Sequence, residues 1–292
     1  MPHTFTALSS PADTSLPVPP APALPSASAV DTVSPSLGAE AALQPPAMET
    51  LFPPAAAAPL RSPSGAAIGT VRGLALRGAG ARAPVPVELA CADAGLGFGG
   101  DVHADPLSPR QLLLAGAPAY TRHGLAPLTL RENLLLDIDT AALASGTLLR
   151  VGSQAVLWLT FHCEACNYLD ARHPGIAQRI GRGRGVLARV VRGGTIRVGD
   201  PVVLLPGSCP VWSDDWRERV AAILARVPAG MVVEYRHLAR LAGIQPVYCR
   251  TFPRLTRTLG YAHAATPMFG QPELPRWAGH ALFDVQCAEG CG

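Results

Sequence analysis

Residues 185–206 read "GVLARVVRGGTIRVGDPVVLLP". Short β-branched runs alternate with two turn signals, Arg-Gly-Gly at 192–194 and Val-Gly-Asp at 198–200. Glycine supplies the backbone freedom a tight turn needs, and aspartate caps its amides. The stretch therefore reads as three short strands, with Asp200 as a turn residue. The same texture extends upstream. "IGTVRGLAL" (68–76) and "VPVELACA" (85–92) alternate like strands. A Gly-rich turn, "GLGFGGDVHAD" (95–105), leads to the apolar "RQLLLAG" (110–116). "TLRENLLLDI" (129–138) precedes "TLLRVGSQAVLWLTF" (147–161), two strands about a Val-Gly-Ser turn. Many short strands with glycine turns predict a barrel-like, mainly β domain over 67–207.

The flanks differ. Residues 1–66 are rich in Pro, Ala and Ser, as in "PVPPAPALPSASAV" (17–30) and "LFPPAAAAPLRSPSG" (51–65). Prolines remove backbone donors, and small side chains bury too little area to offset chain entropy, so a disordered tail is expected. "GSCP" (207–210) reads as a linker. Beyond it, over 211–292, the period turns helical. "SDDWRERVAAILARVPAG" (213–230) sets Trp216, Val220, Ile223, Leu224 and Val227 on one face, with Ser213 as the expected N-cap. "EYRHLARLAG" (234–243) reads as a helix stopped by Gly243. "RTFPRLTRTLG" (250–260) reads as a third helix, with Pro253 in its first turn. Three short helices with tight turns suggest a small α-helical, winged-helix-like module. The expected class is thus multidomain.

Composition excludes some chemistry. All 24 basic residues are arginine. Without lysine no Schiff base to pyridoxal phosphate can form, and a Walker-type phosphate loop is ruled out. The net charge of +3 leaves nucleic-acid binding to a local patch. Seven cysteines in no dense framework fit a reducing compartment, and no signal peptide or 18-residue apolar run is visible. A cytoplasmic location without a membrane is expected.

"TFHCEACNYLDARHPG" (160–175) places Cys163 and Cys166 three apart, with His162 and His173 nearby. By spacing alone this is a metal clip, a redox pair, a ligand to a larger cofactor, or two buried thiols. Zinc would need about four ligands, and the only second pair is Cys287 and Cys291 in "CAEGC". A thioredoxin-like pair would open a helix of an α/β fold, which the β-rich context does not offer.

The order of motifs goes further. Gly-Asp-x-His (100–103), Arg-Gln (110–111), Arg-Glu-Asn (131–133), the cysteine, Arg-Gly (184–185) and Gly-Gly-x-Ile-x-x-Gly-Asp (193–200) together resemble the MOSC domain family, named for the C-terminal domain of molybdenum cofactor sulfurases. The resemblance implies a β-barrel around a cleft that handles molybdenum cofactor or its sulfur. It assigns Cys166, with Cys163 as companion, as the molybdenum ligand or persulfide acceptor. It also assigns Asp101, His103, Arg110, Glu132, Asn133 and Arg184 to the cofactor cleft. Both cysteine roles need an ionised sulfur, which Arg172, Arg182 or Arg184 would favour. A phosphate-bearing pterin would suit an arginine fork and backbone amides in "GRGRG" (181–185). The implied activity is reduction of N-hydroxylated compounds with an electron-donor protein, or sulfur carriage with a sulfur donor.

The segment from Trp216 to Leu255 resembles the DNA-binding domain of alkylguanine-DNA alkyltransferases and their alkyltransferase-like relatives. The likeness rests on Val-Pro-x-Gly, Val-x-Tyr-x-x-Leu-Ala, Ala-Gly and a following arginine. It implies duplex-DNA contacts by Tyr235, Arg250 and Arg254, and hence a non-enzymatic sensor of damaged bases as an alternative role. The family's Pro-Cys-His-Arg motif does not occur, so alkyl transfer is not expected.

Overall fold

The structure is a computed structural model, and it describes residues 65–164 and 167–284. The expected tail lies outside these residues except for Gly65 and Ala66, as do Cys166, Cys287 and Cys291. All described residues fall in one compact unit.

Thirteen strands and six α-helices are present among them. In chain order they are β1 (Ala67–Leu76), β2 (Val85–Val87), β3 (Leu89–Asp93), β4 (Gly97–Phe98), β5 (Leu112–Gly116), α1 (Ala117–His123), β6 (Leu134–Leu136), β7 (Leu148–Val151) and β8 (Ala155–His162). Then come α2 (Asn167–Asp170), α3 (Ile176–Ile180), β9 (Val186–Arg192), β10 (Gly194–Arg197), β11 (Pro201–Leu204), α4 (Trp216–Leu224), β12 (Val233–Glu234), α5 (Tyr235–Leu241), α6 (Phe252–Thr258) and β13 (Ala265–Thr266).

The main sheet runs β11-β7-β8-β9-β5-β6-β1-β2, and a further β11–β1 pairing closes it into a barrel, with β2 left as an appendage on β1. Closure rests on Ala67 opposite Val203 and Thr70 opposite Pro201. The strands within the closed ring have no free edge to recruit another chain; β2, paired only to β1, keeps one. Only β5 and β6 run parallel within the main sheet, joined by the crossover through α1. A three-stranded sheet, β10-β3-β4, joins the barrel core through Ala90, Ala92, Phe98 and Ile196. The expected β-barrel is therefore present. Asp200 serves its turn, accepting from the Arg197 amide at 2.7 Å.

β8 is buried along its whole length, because two cores meet on it. Leu157 and Leu159 point into the barrel with Leu112, Leu114, Leu149 and Val190. Val156, Trp158 and Phe161 face outward and join a second core with Trp212, Trp216, Val220, Leu238 and Phe252. That outer core is supplied by the helical segment. Each large apolar side chain so covered contributes about 1.5–3 kcal/mol.

The join between barrel and helices is packed. Cys209 is buried and its amide donates to the Gly146 carbonyl at 2.9 Å, while Trp158 Nε1 donates to the Pro210 carbonyl at 3.2 Å. Helix α4 buries Trp216, Val220, Ile223 and Leu224 as its pattern predicts. Its N-cap is Asp215, which accepts from the Arg217 amide at 2.8 Å. Ser213, the expected cap, instead bridges the Asp215 amide and Glu218. The expected winged-helix form is not shown: the strands after 206 are a two-residue parallel pair, β12 with β13. A wing would be an antiparallel hairpin, and none is present among the described residues after 206.

Candidate active site

The Gly-Asp-Val-His turn sets the first wall. Asp101 has a fully buried side chain. It accepts from the Arg77 and His103 amides, both at 2.8 Å, from Asn133 Nδ2 at 3.0 Å and from His103 Nδ1 at 2.9 Å. Burial works against the charge, but the His103 ring and the two amides outweigh it and hold the carboxyl below its usual range. His103 Nδ1 therefore carries the ring proton, and Nε2 accepts from Arg77 Nη2 at 2.9 Å. Asn133, at the start of β6, also donates to the Ala75 carbonyl (3.2 Å) and accepts from the Leu113 amide (3.1 Å). One side chain thus ties β1, β5, β6 and the Asp101 turn together.

The second wall is the end of β8. Cys163 is 5% exposed, and its amide donates to the Gly185 carbonyl at 2.8 Å. Arg110 spans the gap. Nη1 donates to the Gly243 carbonyl at 2.9 Å, and Nη2 lies 3.6 Å from Cys163 Sγ, within reach of a hydrogen bond to sulfur. The third wall is the 3-10 turn over 181–184, which carries Arg184 inward. Arg184 is 8% exposed, and its Nε and Nη1 have no partner among the described residues. A buried guanidinium with idle donors is costly unless a ligand meets it.

These walls enclose a cavity of about 110 Å³. Arg77, Arg110, Arg131 and Arg184 line it with Cys163, and Asp101 is the one carboxylate of the lining among the described residues. Arg131 holds a left-handed backbone, φ 58°, which a non-glycine residue adopts at a cost of about 1 kcal/mol or more.

Of the expected cleft residues, the fold gathers Asp101, His103, Arg110, Asn133 and Arg184 around Cys163. Glu132 is not in the wall. It is buried behind it, accepting from the Tyr120 hydroxyl at 2.6 Å. Burial pushes the Glu132 carboxyl up, with the Tyr120 hydroxyl and the Arg184 charge pulling the other way. Tyr120 is pushed up in turn by its burial and by Glu132. Arg182 is exposed and pairs with Asp214 at 3.0 Å, and Arg172 is exposed too. No group of three or more potential metal ligands occurs among the described residues.

Arg250 and Arg254 are exposed on the far helices. Tyr235 is half-buried, with its ring edge-on to Phe252 at 5.7 Å. They stand apart from the cavity.

Sequence motifs did not point to Arg77, Asp214 or Gly243. Asp214 accepts from the His162 amide at 2.8 Å, and its Oδ1 lies 3.4 Å from the His162 ring. Burial raises the Asp214 carboxyl, but the His162 amide, His162 and Arg182 outweigh it and leave it below the usual range. The helical segment thus holds both the cysteine strand, through Asp214, and Arg110, through Gly243.

Residues 112–203 match the MOSC domain. The match spans β5 to β11; β1, which closes the barrel, lies outside it. The MOSC domain family is associated with molybdenum cofactor binding. The donor set here fits such a group: idle buried guanidinium nitrogens suit a phosphate, and a thiol beside them suits a soft metal. The family match ends at residue 203, before the helical segment. Similar solved structures include the YUAD protein from Bacillus subtilis (16% identity over 47% of this chain and 94% of that one, TM-score 0.41). YiiM from Escherichia coli (18%, 65% and 94%, TM-score 0.40) and YiiM from Geobacillus stearothermophilus (15%, 68% and 93%, TM-score 0.38) are also similar. No curated protein matches. No helix among the described residues is long and apolar enough to cross a membrane.

Proposed function

We propose that the chain holds the metal and anionic end of molybdenum cofactor at the arginine-lined cavity and reduces N-hydroxylated compounds, a modified purine base among them. The observation that carries this reading is Arg184: a buried guanidinium with idle donors, in one cavity with a thiol. Arg184, with Arg77 and Arg110, would hold the anionic part of the cofactor, and Cys166 or Cys163 would supply sulfur to the metal. When bound, the cofactor supplies a two-electron redox centre. The chain's own groups keep the site charged and ordered. Arg110 keeps a donor on Cys163 Sγ. Asp101 fixes the His103 ring. In the net reaction the N–O bond of the hydroxylamine breaks, two electrons and two protons are taken up, and an amine and water leave. The electrons come from an external flavin or iron–sulfur carrier. The depth of Cys163 favours a fixed ligand over a sulfur carrier, which must offer its persulfide to a partner.

The test is elemental analysis by plasma mass spectrometry on protein from a host that makes the cofactor. Stoichiometric molybdenum in the wild type, lost in Cys166→Ala or Cys163→Ala, is expected. Reduction of 6-hydroxylaminopurine by the loaded protein with reduced viologen should follow. Molybdenum absent from all three proteins would remove the reading.

A second reading, binding of duplex DNA, draws on the exposure of Arg250 and Arg254 beside Tyr235. It requires affinity that falls steeply with salt and weakens in Arg250→Ala. Salt-independent binding would remove it.

A further inference from the structure

The cysteine cavity, about 110 Å³, falls below the roughly 300–1,000 Å³ of small-molecule sites and leaves no room for a substrate beside the metal end of a cofactor. Beside it lies a groove of about 480 Å³. Both are lined by His103 and Arg110, so the two spaces adjoin at those side chains. The barrel forms one side of the groove and the helical segment the other. Val102, Ile244 and Pro246 give it apolar surface, and Val102 is 44% exposed there. Gln245 adds an amide that can read a polar edge.

The charges are unequal. Arg240 is spent on Asp105, with paired bonds of 2.6 and 2.7 Å. Arg236, one turn earlier on α5, is exposed on the same groove and has no ion pair among the described residues. The groove therefore offers apolar faces, an amide and an uncompensated cation, next to the site where reduction would occur.

We infer that this groove is the substrate subsite and that it takes a nucleotide: the base lies toward His103 and Arg110, and the phosphate meets Arg236. The inference rests on the reductase reading for its substrate and adds the phosphate to it. A free base would fill the apolar part and leave Arg236 unused. The helical segment, outside the matched MOSC range, is then the specificity element of the protein.

Titration calorimetry on the full chain tests this without any cofactor. The probes are 6-hydroxylaminopurine riboside and its 5′-monophosphate. The monophosphate should bind about tenfold more tightly, as one charge-assisted contact is worth about a factor of ten. Arg236→Ala should abolish that ratio and leave the riboside unchanged, and added salt should narrow it. Arg236 is exposed, so its loss leaves the fold intact. Equal affinity for the two probes, no binding of either, or a ratio that survives Arg236→Ala would overturn the inference. Kinetics separate it from the parent reading. Turnover of free base with no gain from the phosphate overturns the subsite and keeps the reductase. Tight phosphate-dependent binding with no turnover at full molybdenum occupancy supports the subsite and overturns the reductase.

Discussion

Arg184 shows how a single residue can serve binding at the expense of stability. Its Nε and Nη1 are buried without protein partners among the described residues, so the folded chain carries desolvated donors. Replacing a poorly paired buried charge by an apolar side chain of similar length tends to stabilise. Arg184→Met should raise the thermal midpoint by about 2–4 °C while bound molybdenum falls. Calorimetric melting and metal analysis of the same preparation check both. Asp101 is the opposite case. Its carboxyl lies below its usual range, so its contribution is fully present above about pH 4, the unfolded-state value, and is lost as pH falls through the lower folded value. Asp101→Asn should cost about 2–3 kcal/mol at pH 7, and the gap to wild type should shrink towards pH 3 in urea titrations. Asp101, His103, Arg110, Asn133 and Arg184 were legible because each sits in a short ordered motif. Arg77, in an ordinary strand end, carries no such mark, and its role depends on a contact with His103 across 26 positions.

At the scale of elements, the turn between α5 and the next 3-10 segment matters most. Gly243 ends α5 with φ 65°, and a β-carbon there would lie 2.8 Å from Pro109 Cγ, 2.9 Å from Phe161 Cζ and 3.0 Å from Arg110 Cγ. Gly243→Ala should therefore cost about 1–3 kcal/mol and move Arg110 off Cys163. Chemical denaturation measures the first effect, and a changed rate of thiol modification at Cys163 the second. Asp214→Ala should loosen the end of β8, which it holds through the His162 amide. We expect a loss of about 1 kcal/mol and faster hydrogen exchange at His162. Strands β1, β9, β10 and β11 were legible from alternation and glycine turns, β7 and β8 from the Val-Gly-Ser turn between them, and β5 as a short apolar run after a Gly-rich turn. β6 was not: Leu134–Leu136 is three leucines with no alternation, buried in a crossover. The capping of α4 was misread by two residues because Ser213, Asp214 and Asp215 are all competent caps, and only tertiary contacts decide among them.

For the whole molecule, the barrel and the helical segment share a core. Truncation after Pro206 would bare Val156, Trp158 and Phe161 on the outer side of β8. The shortened chain should bind an apolar dye more strongly than the full chain, or precipitate at a concentration where the full chain does not. Composition could suggest a barrel and helices, but not that they share one face. β8 reads as a plain apolar run, and nothing local tells which of its sides meets the helices. Closure of the barrel was equally hidden, since Ala67 and Val203 pair across most of the domain.

The doubly buried strand also bears on how the chain is made. When Leu204 leaves the ribosome every barrel strand exists, yet the outer side of β8 still lacks its cover. That cover includes Leu282, so residues 205–282 must be synthesised first. At roughly 5–20 residues per second this takes on the order of several seconds. Through that interval the nascent barrel shows an indole and its apolar neighbours to solvent. A holding chaperone would find its target there, and synonymous codon changes that slow this stretch should lower soluble yield without altering one residue of the product.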